Sequence, residues 1–145
     1  MIDIDQKIKD EWRQLGFYYD NGDEKEKEQW RFFGSKKGLQ NFVTLLGDYL
    51  KNPHHAGLSE EDAFGPYNYL KIMTWNKPII TSDYFAGTLA DLTKLKNIIA
   101  DKLSKTDVGQ SFTIEQDYGI DNTATATFFI MPDNFDPVSM DKNYT

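Results

Sequence analysis

Two stretches decide the reading of the fold: Gly34-Ser35-Lys36-Lys37-Gly38-Leu39 and Gly87-Thr88-Leu89-Ala90-Asp91-Leu92, which lie 53 positions apart. In each, a glycine precedes a hydroxyl residue that can cap a helix by accepting an early backbone N–H. Asp91 adds the acidic half of a capping box. At the same offset Leu39 meets Leu92, Phe42 meets Leu95, Leu45-Leu46 meets Ile98-Ile99, Asp48 meets Asp101 and Leu50 meets Leu103. The apolar residues recur at helical spacing, which predicts two amphipathic helices, the first stopped by Asn52-Pro53. Internal duplication gives such an alignment, and so do two ordinary capped helices. In both cases each helix needs a sheet face on which to bury its stripe.

Working outward, strands are expected on either side of each helix. Residues 15–19 and 29–33 are short and aromatic-rich, and they flank Asn21-Gly22, a two-residue hairpin signal. The charged run between them reads as a solvated hairpin end. Residues 67–75 and 79–85 read as a second pair about an Asn76-Lys77-Pro78 turn. Residues 111–117 and 123–131 read as a third about Gly119, Asp121 and Asn122, with Pro132 ending the last strand. The expected architecture is α+β: a two-layer sandwich in ββαββαββ order, with an about six-stranded, mainly antiparallel sheet and two main helices on one face. Residues 1–145 form one expected domain, with a short N-terminal helix or arm over 1–13 and an irregular tail over 132–145.

Alternation assigns faces. Leu70 and Ile72 oppose Tyr67, Tyr69, Lys71, Met73 and Trp75. Phe112 and Ile114 oppose Ser111, Thr113, Glu115 and Asp117. Ala124, Ala126, Phe128 and Ile130 oppose Thr123, Thr125, Thr127, Phe129 and Met131. The first set of each strand suits a helix-covered core. The second mixes aromatics, threonines and acids, as a protein-binding patch does. The alternative reading is that the N-terminal segment or the tail folds over that face and covers it.

Composition narrows the function. The 145 residues carry a net charge of −7 and 14% aromatics. Such an aromatic content argues against disorder, and the acidity argues against nucleic acid as ligand. The acid gathers at the two ends of the chain: residues 1–34 carry a net −3 and residues 108–145 a net −5. An acidic surface suits a basic protein partner. No apolar run reaches the length of a membrane span. The start, Met1-Ile2-Asp3-Ile4-Asp5, has no basic-then-apolar signal pattern. There is no cysteine, so a cytoplasmic location is expected.

Catalytic signatures are sparse. Gly34 to Gly38 lacks Walker spacing and reads as an ordinary capped helix start. His54 and His55 lie in a long loop over 53–66 with Glu60, Glu61 and Asp62, so a His-carboxylate metal site or acid/base pair is conceivable there. Nothing in the sequence supplies a nucleophile or an oxyanion donor for it. The expectation is a protein that is not an enzyme and carries no metal and no cofactor. A small-molecule binder or hydrolase built on the His54-His55 loop is the alternative, and an adaptor for an endogenous protein is a further one.

Several stretches resemble small bacterial immunity proteins of polymorphic toxin and contact-dependent growth-inhibition systems. They are Glu11-Trp12-Arg13-Gln14-Leu15-Gly16-Phe17-Tyr18-Tyr19-Asp20, Trp30-Arg31-Phe32-Phe33-Gly34-Ser35-Lys36-Lys37-Gly38-Leu39, Gly65-Pro66-Tyr67-Asn68-Tyr69-Leu70-Lys71-Ile72-Met73-Thr74-Trp75 and Gly87-Thr88-Leu89-Ala90-Asp91-Leu92. The resemblance covers roughly residues 11–137 and rests on structural motifs, without a catalytic signature. It implies a protein that binds a cognate secreted toxin domain and blocks it, basic nucleases being among such toxins. The expected anchors are then Tyr67, Tyr69 and Trp75. The expected charges are Asp20, Asp23, Glu24, Glu60, Glu61, Asp62, Glu115, Asp117 and Asp121. Neither a nucleic acid nor a membrane is an expected partner.

Overall fold

The structure, a computed structural model, describes residues 3–21 and 29–144, the side chains of Pro53 and His54 excepted. In chain order it forms α1 (Ile4–Leu15), β1 (Tyr18–Asp20), β2 (Gln29–Gly34), α2 (Lys36–Lys51), β3 (Glu61–Phe64), β4 (Leu70–Thr74), β5 (Ile79–Ile80), β6 (Tyr84–Gly87), α3 (Leu89–Lys105), β7 (Ser111–Ile114) and β8 (Thr125–Ile130). Single 3-10 turns occupy Pro53–Ala56 and Pro137–Met140, and a non-helical tight turn occupies Pro66–Asn68.

Both main helices begin as their caps dictate. Ser35 Oγ accepts from the Gly38 N–H at 3.0 Å. Thr88 Oγ1 accepts from the Asp91 N–H while Asp91 Oδ2 accepts from the Thr88 N–H, each at 3.0 Å, closing the capping box. Two early N–H groups that lack helical partners are thereby satisfied at the start of α3.

The α+β class holds, but the single six-stranded, mainly antiparallel sheet does not. Two four-stranded sheets form, in the orders β1-β2-β8-β7 and β3-β4-β6-β5. In each, the central pair is parallel and both outer pairs are antiparallel. The repeating unit is therefore ββαββ, twice: β1-β2-α2-β3-β4, then β5-β6-α3-β7-β8. The first hairpin of each unit pairs with the second hairpin of the other. Equivalent contacts recur across the exchange. Gly34 pairs with Ile130 and Gly87 with Thr74. The Met131 N–H donates to Gly34 O at 2.7 Å, and the Trp75 N–H donates to Gly87 O at 2.8 Å.

Two features account for the difference from the expected strand count. Residues 61–64, Glu-Asp-Ala-Phe, form edge strand β3 although the segment has no β-branched residue and alternates exposed with half-buried positions. Its strand character comes from pairing with β4, not from propensity. Residues 79–85 form two strands rather than one. Between them Thr81 Oγ1 accepts from the Asp83 and Tyr84 N–H groups, both at 3.2 Å, and turns the chain.

The core lies where the two units meet. Phe32 of β2, Phe42 of α2, Phe85 of β6 and Phe128 of β8 are fully buried. Phe32 stacks on Phe128 at 4.5 Å, and Phe42 stands edge-on to Phe85 at 5.7 Å. Each such aromatic contributes a large apolar area with a defined packing geometry. One continuous apolar cluster joins both sheets and all three α-helices.

Candidate functional site

The second unit is followed by a tail that returns to the start of the chain, and a cleft forms where they meet. Helix α1 ends at Gly16, whose φ of +88° is left-handed and whose Cα has no room for a side chain beside Asn41 and Gly38 of α2. This tight junction sends the chain into β1 and leaves Trp12 buried against it. The Trp12 ring lies 4.9 Å from Tyr18, 5.3 Å from Tyr19 and 6.2 Å from Tyr67.

The turn between β3 and β4 forms the opposite wall. Gly65 takes a φ of +79° there, and a Cβ on it would lie 2.6 Å from the Tyr19 ring. Tyr67 and Asn68 follow at φ values of 70° and 57°. The Tyr19 hydroxyl locks this turn: it donates to Pro66 O at 2.8 Å and accepts from the Tyr69 N–H at 3.2 Å. Strand β4 starts only at Leu70, so Tyr67 and Tyr69 project from the turn rather than from a sheet face. Their rings lie 6.0 Å apart, and they are 39% and 64% exposed.

Asp141 forms the floor. It is 4% exposed. Its Oδ2 accepts from the Trp12 indole N–H and the Tyr67 hydroxyl, both at 2.8 Å, and its Oδ1 accepts from the Asn143 N–H at 2.9 Å. At the side, Arg31 of β2 donates to both oxygens of Asp20 on β1, at 2.9 and 2.7 Å. The resulting cleft encloses about 570 Å³ between β1, the 66–69 turn and residues 141–143. That volume falls within the general range of ligand pockets.

Burial pushes the Tyr67 phenol up to about 12, and its hydrogen bond to Asp141 adds to the effect. Burial also raises Tyr18 to about 12, reinforced by the carboxylates of Asp20 and Asp141. Tyr19 reaches about 12 through burial, against backbone hydrogen bonds that lower it. These phenols therefore keep their protons near neutral pH, and Tyr67 remains a donor to Asp141.

The twelve residues singled out in the sequence fall into separate places. Asp20, Tyr67 and Tyr69 come together in the cleft. Glu60, Glu61 and Asp62 lie at the start of β3, on the edge of the other sheet. Trp75 is half-buried just past β4. Glu115, Asp117 and Asp121 lie in the turn between β7 and β8. There Asp117 pairs with Lys102 at 2.9 Å and Asp121 with Lys77 at 3.1 Å. Asp23 and Glu24 lie outside the described residues. Trp12, Tyr18, Arg31 and Asp141 join the cleft without having been singled out as site residues. No local pattern marks Asp141, since its bond to Trp12 spans 129 positions.

His55 is built into the fold. Its ring stacks on Tyr49 at 3.7 Å and is nearly parallel to it. Nδ1 faces the Tyr49 carbonyl oxygen at 2.7 Å and so donates to it, while Nε2 lies 3.0 Å from Asp62 Oδ2. The Thr74 hydroxyl donates to His55 O at 2.5 Å, and the Tyr49 hydroxyl donates to Glu60 O at 2.6 Å. Both ring nitrogens thus engage the chain itself. The His54 side chain is outside the described set. Among the described residues, no group of three or more His, Asp or Glu is placed to hold a metal ion. No described helix is long and apolar enough to cross a membrane.

The chain matches no protein-family model, no curated protein and no solved structure.

Proposed function

We propose that this protein is a non-catalytic binder that neutralises a cognate secreted toxin domain, acting in the cytoplasm as an immunity protein. The observation that carries this reading is the cleft. Its aromatic side chains are held by their polar tips, Trp12 and Tyr67 on Asp141 and Tyr19 on the 66–69 turn, so their ring faces are fixed in advance. Rigid aromatics bind at low entropic cost, and clusters of Tyr and Trp dominate binding energy at protein interfaces. The net charge of −7 favours fast association with a basic toxin such as a nuclease. The resemblance of residues 11–137 to immunity proteins supports the same reading.

The test is neutralisation. Tagged protein is used to capture its partner from its own cells at low and high salt, and the captured chain is assayed for toxicity with and without this protein. Recovery of a secreted toxin fragment, salt-sensitive and silenced on binding, is the expected result. Recovery of housekeeping proteins alone moves the function to an endogenous adaptor. An empty capture despite confirmed toxin expression overturns the reading. A second reading, a small-molecule binder, is favoured by the cleft volume of about 570 Å³. Saturable binding of a metabolite in the cleft, with no protein partner, would establish it.

A further inference from the structure

The two carboxylates of the cleft are held differently. Asp20 is neutralised by a bidentate Arg31. Asp141, far more buried, is held by an indole N–H, a phenol and a backbone N–H, and among the described residues it forms no salt bridge. Neutral donors solvate a carboxylate but leave its charge uncancelled, so a negative potential persists at the cleft floor.

The aromatic wall adds to that potential. Ring faces carry the negative side of the aromatic quadrupole. An indole or phenol that donates a hydrogen bond to a carboxylate gains electron density in its ring, which deepens the negative face. Trp12 and Tyr67 both do this toward the same oxygen of Asp141. Tyr67, which carries that hydrogen bond, and the more exposed Tyr69 both line the cleft, their rings 6.0 Å apart at an interplanar angle of 29°. Aromatic faces over an uncancelled carboxylate attract cations. Among protein cations a guanidinium suits this cleft best: it is planar, stacks on aromatic faces and sheds water more easily than an ammonium.

We propose that the cleft recognises an arginine side chain of the partner protein, its guanidinium lying on Tyr67 and Tyr69 above Asp141. This assignment rests on the protein-binding reading and names the group that the cleft takes. It explains why Asp20 does not serve as the anchor, since its charge is already spent on Arg31. It also gives a role to Lys142, an exposed lysine in the cleft lining. Lys142 competes with an incoming cation for the field of Asp141.

The test uses the full chain and a small probe. N-acetyl-arginine amide and its neutral isostere N-acetyl-citrulline amide are titrated separately, and the Trp12 indole N–H is followed by NMR. A saturable shift is expected with arginine, with citrulline binding about tenfold more weakly. Tyr69→Ala is expected to weaken arginine binding by a similar factor, and Lys142→Gln to tighten it. Both positions are exposed, so both variants should fold, which far-UV circular dichroism checks. Equal binding of the two probes, no binding of arginine, or weaker binding after Lys142→Gln overturns the assignment. If the toxin still binds through Tyr69 while the arginine probe does not, the guanidinium assignment fails and the protein-binding reading stands. If the arginine probe binds but no protein partner exists, the cleft's preference for a guanidinium stands while the protein-binding reading, and with it the partner's arginine, fails.

Discussion

The two ββαββ units share one topology, yet the turns that close their second hairpins end differently. In the second unit residues 115–124 fold back on their own unit. Asn122 Oδ1 accepts from the Ile80 N–H at 2.9 Å, while the Thr123 and Ala124 N–H groups donate to Ile80 O at 3.0 and 3.1 Å. The Tyr118 hydroxyl donates to Ala86 O at 2.6 Å. In the first unit the turn is shorter, spanning 65–69, and Tyr19 occupies the place that Ile80 holds in the second. Tyr19 pairs with Phe32 as Ile80 pairs with Phe85. Here the tether is a side chain, Tyr19, and Tyr67 and Tyr69 are left facing outward. Helix α1 and the tail, which the second unit lacks, complete the cleft around them. One scaffold thus carries an acidic turn with internal ion pairs at one corner and an aromatic cleft at the other.

The largest test of this equivalence is in the core. Phe32→Ala and Phe85→Ala should each cost about 3–5 kcal/mol, because both rings are fully buried in the same cluster. Denaturant midpoints with unchanged slopes would show it. A cost under about 1 kcal/mol for either would break the equivalence of the units.

A smaller effect separates the two turns. Tyr118→Phe and Tyr19→Phe each remove a hydroxyl donor from a buried carbonyl, at about 1–3 kcal/mol. Tyr118→Phe should alter stability alone. Tyr19→Phe should also loosen the 66–69 turn and weaken partner binding in isothermal titration calorimetry. Equal binding losses from both would remove the functional contrast.

Acid should act weakly at two places, the junction of α1 with the tail and the 115–124 turn. Hydrogen bonding from Arg13, opposed by slight burial and aided by the Val138 N–H, holds Asp136 below its ordinary value of 3.8. Asp117 is also lowered: burial opposes this, but the hydrogen bond from Lys102 and backbone N–H groups outweigh it. A depressed carboxylate gives stability that is present above the unfolded value and lost as pH falls through the folded one. The loss should therefore begin near pH 3.8 and continue below it. It should be small, since these carboxylates are 45% and 36% exposed. Thermal unfolding of Asp136→Asn should show a flatter acid limb than the parent, and an unchanged limb would contradict the assignment. Smallest of all, Lys77→Ala should shift stability by less than about 0.5 kcal/mol, as its pair with Asp121 is half-exposed on both sides.

Much of this was legible in local sequence. Ser35 and Thr88 announced both main helices, and alternation placed Ala126, Phe128 and Ile130 inside. The offset between Gly34 and Gly87 marked equivalent strand ends. Sheet partition was not legible, because β2 and β8 pair in parallel across most of the chain and no local pattern encodes that partner. Strand β3 was missed because pairing overrides its poor propensity. At the site, Tyr67 and Tyr69 were legible as exposed aromatics, though as members of a sheet face. Their real setting depends on positive φ values at Tyr67 and Asn68, which residue type alone does not reveal. Asp141 was hidden because its partners lie at the other end of the chain.

The most direct measurement compares the two corners against the partner itself. Affinity for the proposed toxin partner, and its neutralisation, are measured for Tyr69→Ala, in the cleft, and for Asp121→Ala, in the 115–124 turn. Tyr69→Ala should lose affinity about tenfold or more and Asp121→Ala less than about twofold. The opposite order would place the interface at the acidic turn and contradict the cleft as the binding site.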